Sequence, residues 1–392
     1  MMPVKKETGY IHGHEDKERH YGSLVPPIYQ SSTFTFPDAE SGEARFAGNE
    51  GGYMYSRLGN PTVREFEERM AKAEGGEKAL AFASGMAAVS AVLTSLLKSG
   101  DHVLVSKGVY GCTFGLLSWL YDRFQVRAAY ISMENEADLE EHLQPTTKVI
   151  YVETPINPTM KMTDFSLITK FAKEHNLTVV VDNTFASPYL QRPLERNADV
   201  VVHSATKYLG GHGDVIAGVA VGNFDFMEVV RKNAQKDMGG VLGSFESWLL
   251  LRGMKTLAVR MDRHCSNAKV IAGKLKNHPQ VESIFFPGDP DFNQYYLAKK
   301  QMDQPGAMIS FTVKGGKEAA FNMMNRLKMI AIAVSLGDAE TLVQHPASMT
   351  HAVIPEAERE FMEIGDNMLR LSVGLEHHED IWRDLEQALT GE

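Results

Sequence analysis

The sequence has little cysteine, no long apolar run and no excess of positive charge, and each shortage removes a class of protein. Cys112 and Cys265 are the only 2 cysteines in 392 residues, far apart and in no Cys-x-x-Cys pattern. That argues against a disulfide framework or a structural zinc site and fits a reducing cytoplasm. No stretch of apolar residues is long enough for a membrane-spanning helix, and the opening MMPVKKETGYIHGHEDKERH has no signal-peptide core. A cytoplasmic protein is therefore expected. The formal net charge of -10 gives no cationic surface to displace counterions from nucleic acid or an acidic membrane, so a small-molecule partner is expected instead. Neither a Gly-x-Gly-x-x-Gly followed by an acid nor a Walker-type Gly-Lys-Ser/Thr occurs, which weakens dinucleotide and nucleoside-triphosphate readings.

What is present points to a globular enzyme. The hydrophobic share is 43% and the charged share 23%, both ordinary, and the length suggests two or three units. Residues 1–59 hold Gly, Pro, Ser and charges without a sustained period and read as an extended arm that must lie against something. From Pro61 the pattern becomes helical, ending at Gly75, and Met86, Val89, Leu93, Leu96 and Leu97 mark a second helix from 86 to 98. Apolar β-rich runs at 102–106, 126–132, 148–153, 178–182, 199–203 and 215–221 then alternate with helical segments such as DFSLITKFAKEH. Continuous Val and Ile runs signal strands buried on both faces, so the expected architecture is α/β with a mostly parallel, doubly wound sheet. A boundary near 257 would separate a large domain, 60–257, from a smaller α/β domain, 258–392, containing strands AMISFTV and LRLSVGL.

Ligands of open parallel sheets collect at the carboxyl ends of the strands. TVVVDNTF delivers Asp182 to such an end, and DVVVHSATKYLGG delivers Lys207 just beyond the next. A carboxylate and an amine on one rim suit pyridoxal phosphate, whose ring nitrogen needs an acidic partner and whose aldehyde needs a lysine. Ser84, Gly85 and Met86 open a helix whose free N–H groups suit a phosphate, and Ser204 and Thr206 flank the lysine with hydroxyls. Each feature alone has a plainer reading: a turn aspartate, a solvated lysine, a serine N-cap.

Together, the ordered pieces YSRLGNPT (55–62), SGMAA (84–88), VYG (109–111), VETPINP (152–158), VVVDNTF (179–185), HSATKYLGGH (203–212) and RLSVGLE (370–376) resemble the Cys/Met-metabolism family of pyridoxal-phosphate enzymes. The resemblance spans nearly the whole chain. It implies an aspartate-aminotransferase-like (fold type I) fold with a seven-stranded, mostly parallel sheet, a smaller C-terminal domain and an N-terminal arm. It also implies a homotetramer, a dimer of dimers, with active sites shared across the dimer. By resemblance, Lys207 matches the Schiff-base lysine, Asp182 the partner of the ring nitrogen, and Tyr110 the aromatic that stacks on the ring and serves as acid for the leaving group. Gly85, Met86, Ser204 and Thr206 match phosphate contacts, and Tyr55 and Arg57 match phosphate ligands from a neighbouring subunit. Arg370 matches the clamp for the substrate α-carboxylate, with Asn157 and Ser335 beside it.

Within that family, Cys112 in Tyr-Gly-Cys-Thr, the run AVSLGDAETLVQHPASMTH (333–351) and the pair Lys236-Asp237 resemble the methionine γ-lyase subgroup. The implied reaction is elimination of methanethiol from methionine, leaving 2-oxobutyrate and ammonia, with activity also on homocysteine and related sulfur amino acids. If Tyr110 also acts first as a base, its hydroxyl must be shifted down, and Arg57 with the cofactor lysine is expected to supply that shift. The alternatives are a cystathionine γ-lyase, an O-acylhomoserine sulfhydrylase or cystathionine γ-synthase, or, from another class, a regulatory protein that keeps the cofactor but performs no turnover. His12, His14 and His20 lie in the polar arm without a matching Cys or carboxylate pattern and read as solvated, so no metal is expected. The 20 methionines read as core filler.

Overall fold

A computed structural model describes residues 4–12 and 19–391. The first sheet has seven strands: β1 (Lys78–Phe82), β2 (His102–Ser106), β3 (Arg127–Ile131), β4 (Thr147–Glu153), β5 (Thr178–Asp182), β6 (Val200–Ser204) and β7 (Gly218–Gly222), in the order β1-β7-β6-β5-β4-β2-β3. The run from β3 to β6 is parallel, whereas β7 lies antiparallel to both β6 and β1. The Val side chains of these strands are buried, for example Val179, Val180 and Val181 in β5, as expected where helices cover both faces.

Local chemistry explains most boundaries. In the helix Pro61–Glu74, Asn60 accepts a hydrogen bond from Thr62 N–H at 2.9 Å. Proline then stands in the first turn, where no N–H is needed, and Gly75 ends the helix at φ 74°. The helix Gly85–Leu96 starts one residue earlier and ends sooner than its apolar spacing suggested, because the Ser84 side chain caps Ala87 N–H and the chain turns extended at Leu97. The last strand of the sheet begins at Gly218, not 215, because Ala217 is tied to Thr206: its N–H donates to Thr206 Oγ1 at 3.0 Å and its carbonyl accepts from Thr206 N–H at 3.3 Å. The apolar run ALAFA supplies most of β1, an edge strand that the alternation of strands and helices had not counted.

The 20-residue helix Leu257–Lys276 leads into a second, five-stranded sheet. Its members are β8 (Val281–Phe285), β9 (Met308–Val313), β10 (Ala331–Ile332), β11 (Leu342–Gln344) and β12 (Met368–Ser372). The order is β10-β11-β12-β9-β8, antiparallel except for β10 and β11. One apolar core runs through both halves, joining Leu250 and Met254 to Leu257, Ile309, Phe311 and Leu371. That continuity joins β12 to the first sheet through a common core.

The arm is not uniformly extended. Lys6–Ile11 is a helix whose Tyr10 is buried near Tyr189, with ring centroids 6.3 Å apart; burying one aromatic side chain is worth about 2 kcal/mol, enough to dock a short segment. His20 is not solvated as its sequence context suggested: its ring nitrogens lie 3.2 Å from Tyr29 Oη and 3.1 Å from Glu65 Oε1. His12 is exposed, and His14 lies outside the described residues. Among the described residues, no helix is long and apolar enough to cross a membrane.

Candidate active site

Three neighbouring strands end at one rim. Glu153 closes β4, Asp182 closes β5 in register with it, and Ser204 closes β6. Asp182 is oriented from one side by Thr184, whose N–H and hydroxyl donate to Oδ1 at 3.0 and 2.5 Å, and from the other by the Tyr151 hydroxyl at 3.4 Å. Thr184 Oγ1 also accepts the Ser204 N–H at 2.9 Å, so one hydroxyl ties the two strand ends together. Burial raises the Asp182 carboxyl above its ordinary value, while the Thr184 hydrogen bonds pull it back.

Lys207 follows β6, and its Nζ donates to Ser335 Oγ at 2.8 Å. Burial, reinforced by the Arg370 charge, lowers the amine from 10.5 to about 8. A larger fraction of it is therefore neutral near physiological pH. Ser335 has φ 109°, in the region that side chains seldom adopt. It serves two partners: the hydroxyl takes the lysine and the carbonyl takes Arg370 Nη2 at 2.7 Å. Arg370, on β12, also donates Nη1 to Asn157 Oδ1 at 2.9 Å. With the Gln344 amide turned so that its oxygen faces the guanidinium, that oxygen lies over the plane of the group, 3.1, 3.0 and 3.1 Å from Nε, Nη1 and Nη2. Arg370 is buried without a carboxylate partner in these contacts, and burial lowers it to about 10. A guanidinium so placed is suited to an incoming carboxylate.

Tyr110 precedes the helix Gly111–Phe124, its N–H held by Glu153 Oε2 at 2.9 Å. The approach is close, since a Cβ on Gly111 would stand 2.5 Å from the Thr350 carbonyl oxygen. Burial, with the Cys112 thiol beside it, pushes the Tyr110 hydroxyl up to about 12. Tyr110 is thus raised within its own chain, whereas the downward shift is expected from Arg57 of a neighbouring subunit together with the cofactor lysine. Arg57 Nη1 donates to the Lys236 carbonyl at 2.6 Å and its guanidinium lies 5.6 Å from the Tyr55 ring centre. Arg57 lines a cavity with Glu67, Lys78 and Arg231, and none of Lys207, Asp182 or Arg370 reaches it. Within one chain, then, Tyr55 and Arg57 do not join the lysine cluster. Cys112 is exposed near Tyr110.

The remaining residues fit a phosphorylated aldehyde with a basic ring nitrogen. Gly85 and Met86 present the first two N–H groups of their helix, which have no acceptor within it. A side chain at Gly85 would meet Ser204 Cβ at 2.8 Å, so the glycine lets the helix start abut the end of β6. Ser84 spends its hydroxyl on the cap, with Ala87 N–H at 3.0 Å, and Thr206 donates its hydroxyl proton to the Ala217 carbonyl at 3.2 Å. An anion there would meet the backbone donors and Ser204 first. Asp182, oriented by Thr184 and Tyr151 and paired with no Lys, Arg or His among the described residues, suits a protonated ring nitrogen. The sequence reading passed over Glu153, Thr184, Tyr151 and Gln344. Glu153 and Thr184 stood inside the motifs VETPINP and VVVDNTF, but nothing in one sequence shows which motif side chains turn toward their neighbours.

Comparison with known proteins agrees with these features. A family model described as Cys/Met metabolism PLP-dependent enzyme matches residues 7–390. An L-methionine gamma-lyase from Treponema denticola is 52% identical over 97% of this chain and 95% of its own. Another, from Pseudomonas putida, is 51% identical over 97% of this chain and 96% of its own. Among solved structures, a cystathionine gamma-lyase from Lactobacillus plantarum complexed with L-serine superposes with a TM-score of 0.92 at 41% identity, covering 99% of each chain.

Proposed function

The chain belongs to the Cys/Met-metabolism family of pyridoxal-phosphate-dependent enzymes, and from that premise we propose that it is a carbon–sulfur lyase acting on L-methionine. The reaction is an α,γ-elimination that consumes one water and yields methanethiol, 2-oxobutyrate and ammonia. Homocysteine and related sulfur amino acids are further substrates. The carrying observation is the likeness to L-methionine gamma-lyases at 52% and 51% identity over 97% of the chain, against 41% for the solved cystathionine gamma-lyase. Cys112, two residues after Tyr110, supports the same choice.

Pyridoxal phosphate, when bound, supplies an electron sink that makes the Cα and Cβ protons of an amino acid acidic. Lys207 would hold its aldehyde, Asp182 its ring nitrogen, Tyr110 its ring face, and the Gly85 and Met86 N–H groups with Ser204 its phosphate. Arg370, steadied by Asn157 and the Ser335 carbonyl, binds the substrate α-carboxylate with its two-pronged guanidinium. Lys207, lowered to about 8, takes up and returns protons at Cα without a large free-energy gap. Tyr110, raised to about 12, is a neutral phenol at physiological pH and donates its proton to the departing sulfur.

The same reading takes the working form as a cytoplasmic homotetramer, a dimer of dimers, in which Tyr55 and Arg57 serve the neighbouring subunit's phosphate. Supporting it, Tyr21 and Leu24 on the arm are almost fully exposed, and neither Tyr55 nor Arg57 joins its own chain's lysine cluster. Incubation with methionine alone tests the reaction: methanethiol and 2-oxobutyrate are expected without any added nucleophile. Turnover confined to cystathionine, or dependent on an added thiol, would overturn it.

A further inference from the structure

Glu153 takes no part in the scheme above, yet two pieces of it meet at this side chain. It is buried at the end of β4, beside Asp182 in the sheet register. Its Oε2 accepts the Tyr110 N–H at 2.9 Å, and its Oε1 accepts the Asn157 N–H at 3.1 Å. Its own N–H donates to Ser106 Oγ at 3.0 Å, which anchors it to the end of β2. Asn157 in turn offers Oδ1 to Arg370 Nη1 at 2.9 Å. One carboxylate thus reaches two loops, the one that carries Tyr110 and the one that carries the partner of Arg370.

A buried acid is expensive to place, and this one makes no direct ion pair among the described residues. Burial and the adjacent Asp182 push the carboxyl up to about 8, while the two N–H donors and Arg370 pull it down. Glutamine, of the same length, could not serve both loops equally, because both face it with donors and its amide offers one oxygen and one NH2 where a carboxyl offers two oxygens. We propose that Glu153 is a positioning residue that fixes the Tyr110 main chain and the Asn157–Arg370 pair relative to one another. The proton donor for sulfur and the clamp for the α-carboxylate are then held as one unit. The inference rests on the roles given to Tyr110, Asn157 and Arg370 in the proposed function.

The test measures ligand binding rather than turnover. Glycine carries the α-carboxylate but has no sulfur to lose, and its dissociation constant can be read from the absorbance and circular dichroism of the bound cofactor in the holoenzyme. In Glu153→Gln, the amide oxygen keeps one loop N–H while the amide NH2 confronts the other. Loss of one buried hydrogen bond predicts about tenfold weaker glycine binding and an altered cofactor dichroism, with the cofactor still bound. Asn157→Ala weakens glycine as well, and the double variant should be no more than about threefold weaker than the worse single one, since both changes break the same chain of contacts. Glycine binding by Glu153→Gln within about twofold of the unmodified enzyme, or losses that simply multiply, would overturn the proposal. Should Glu153→Gln not fold, Glu153→Asp keeps the carboxyl but shortens the reach, and it must show the same loosening. Failure of the reaction assignment is separately visible: no methanethiol from methionine, with glycine still bound and still sensitive to Glu153→Gln.

Discussion

Lys207 Nζ and Ser335 Oγ meet at 2.8 Å across the junction of the two sheets. The lysine follows β6 and the serine follows β10, so neither sheet alone aims the amine. Ser335 sits at φ 109°, a conformation that costs on the order of 1–3 kcal/mol and persists only where surrounding contacts demand it. Here those contacts are the lysine and the Arg370 guanidinium. Ser335→Ala removes the acceptor and leaves the backbone as it is. Methanethiol release should fall roughly tenfold, the worth of one hydrogen bond of this kind, with little change in cofactor content. Unchanged turnover would show that the contact does not aim the lysine.

Arg370 donates to Asn157 and to the Ser335 carbonyl, which leaves its fork pre-aimed for a carboxylate. Arg370→Lys keeps the charge and loses the planar pair of donors. The Michaelis constant for methionine should rise by roughly 10- to 100-fold, with a smaller effect on kcat. A kcat loss at constant KM would contradict the clamp.

Much of this was readable from the residues. The Val-rich runs named five of the strands in the first sheet within one or two residues, and Asp182 and Lys207 stood out because each follows such a run. What stayed hidden depends on distant pairs. Thr184 binds Asp182 and Ser204 at once, and Glu153 binds Tyr110 across 43 residues of chain. No periodicity encodes either contact. The raised Tyr110 hydroxyl of the single chain has the same origin: burial is a property of the packed loop, which no periodicity encodes.

Gly85 allows the helix start to abut β6, with Ser204 Cβ 2.8 Å from where a side chain would begin. Gly85→Ala must push the two apart, at a cost of about 1–3 kcal/mol. Cofactor affinity should drop with stability, and equilibrium dialysis of the phosphate cofactor checks it. Affinity equal to that of the unmodified enzyme would remove this helix start from the phosphate site.

The cofactor-free form should show a pH signature of Lys207. Folding lowers the amine from 10.5 to about 8, so between those values the unfolded chain holds a proton that the folded chain has released. Stability from this group therefore rises as pH rises from about 8 toward 10.5, and it is lost as pH falls through 8. Tyr110 acts in the opposite sense only above its ordinary value of 10.0. Urea unfolding between pH 8 and 10 should show the rise in the unmodified chain and a smaller rise in Lys207→Met. Identical slopes would contradict the depressed amine.

The central claim is that Lys207 carries the cofactor, and chemical reduction tests it most directly. Holoenzyme treated with borohydride and digested should yield one peptide, HSATKYLGGH within its sequence, bearing the phosphopyridoxyl mass on Lys207, and Lys207→Ala should neither label there nor release methanethiol. A label on another lysine, no label at all, or full lyase activity in Lys207→Ala would contradict the account.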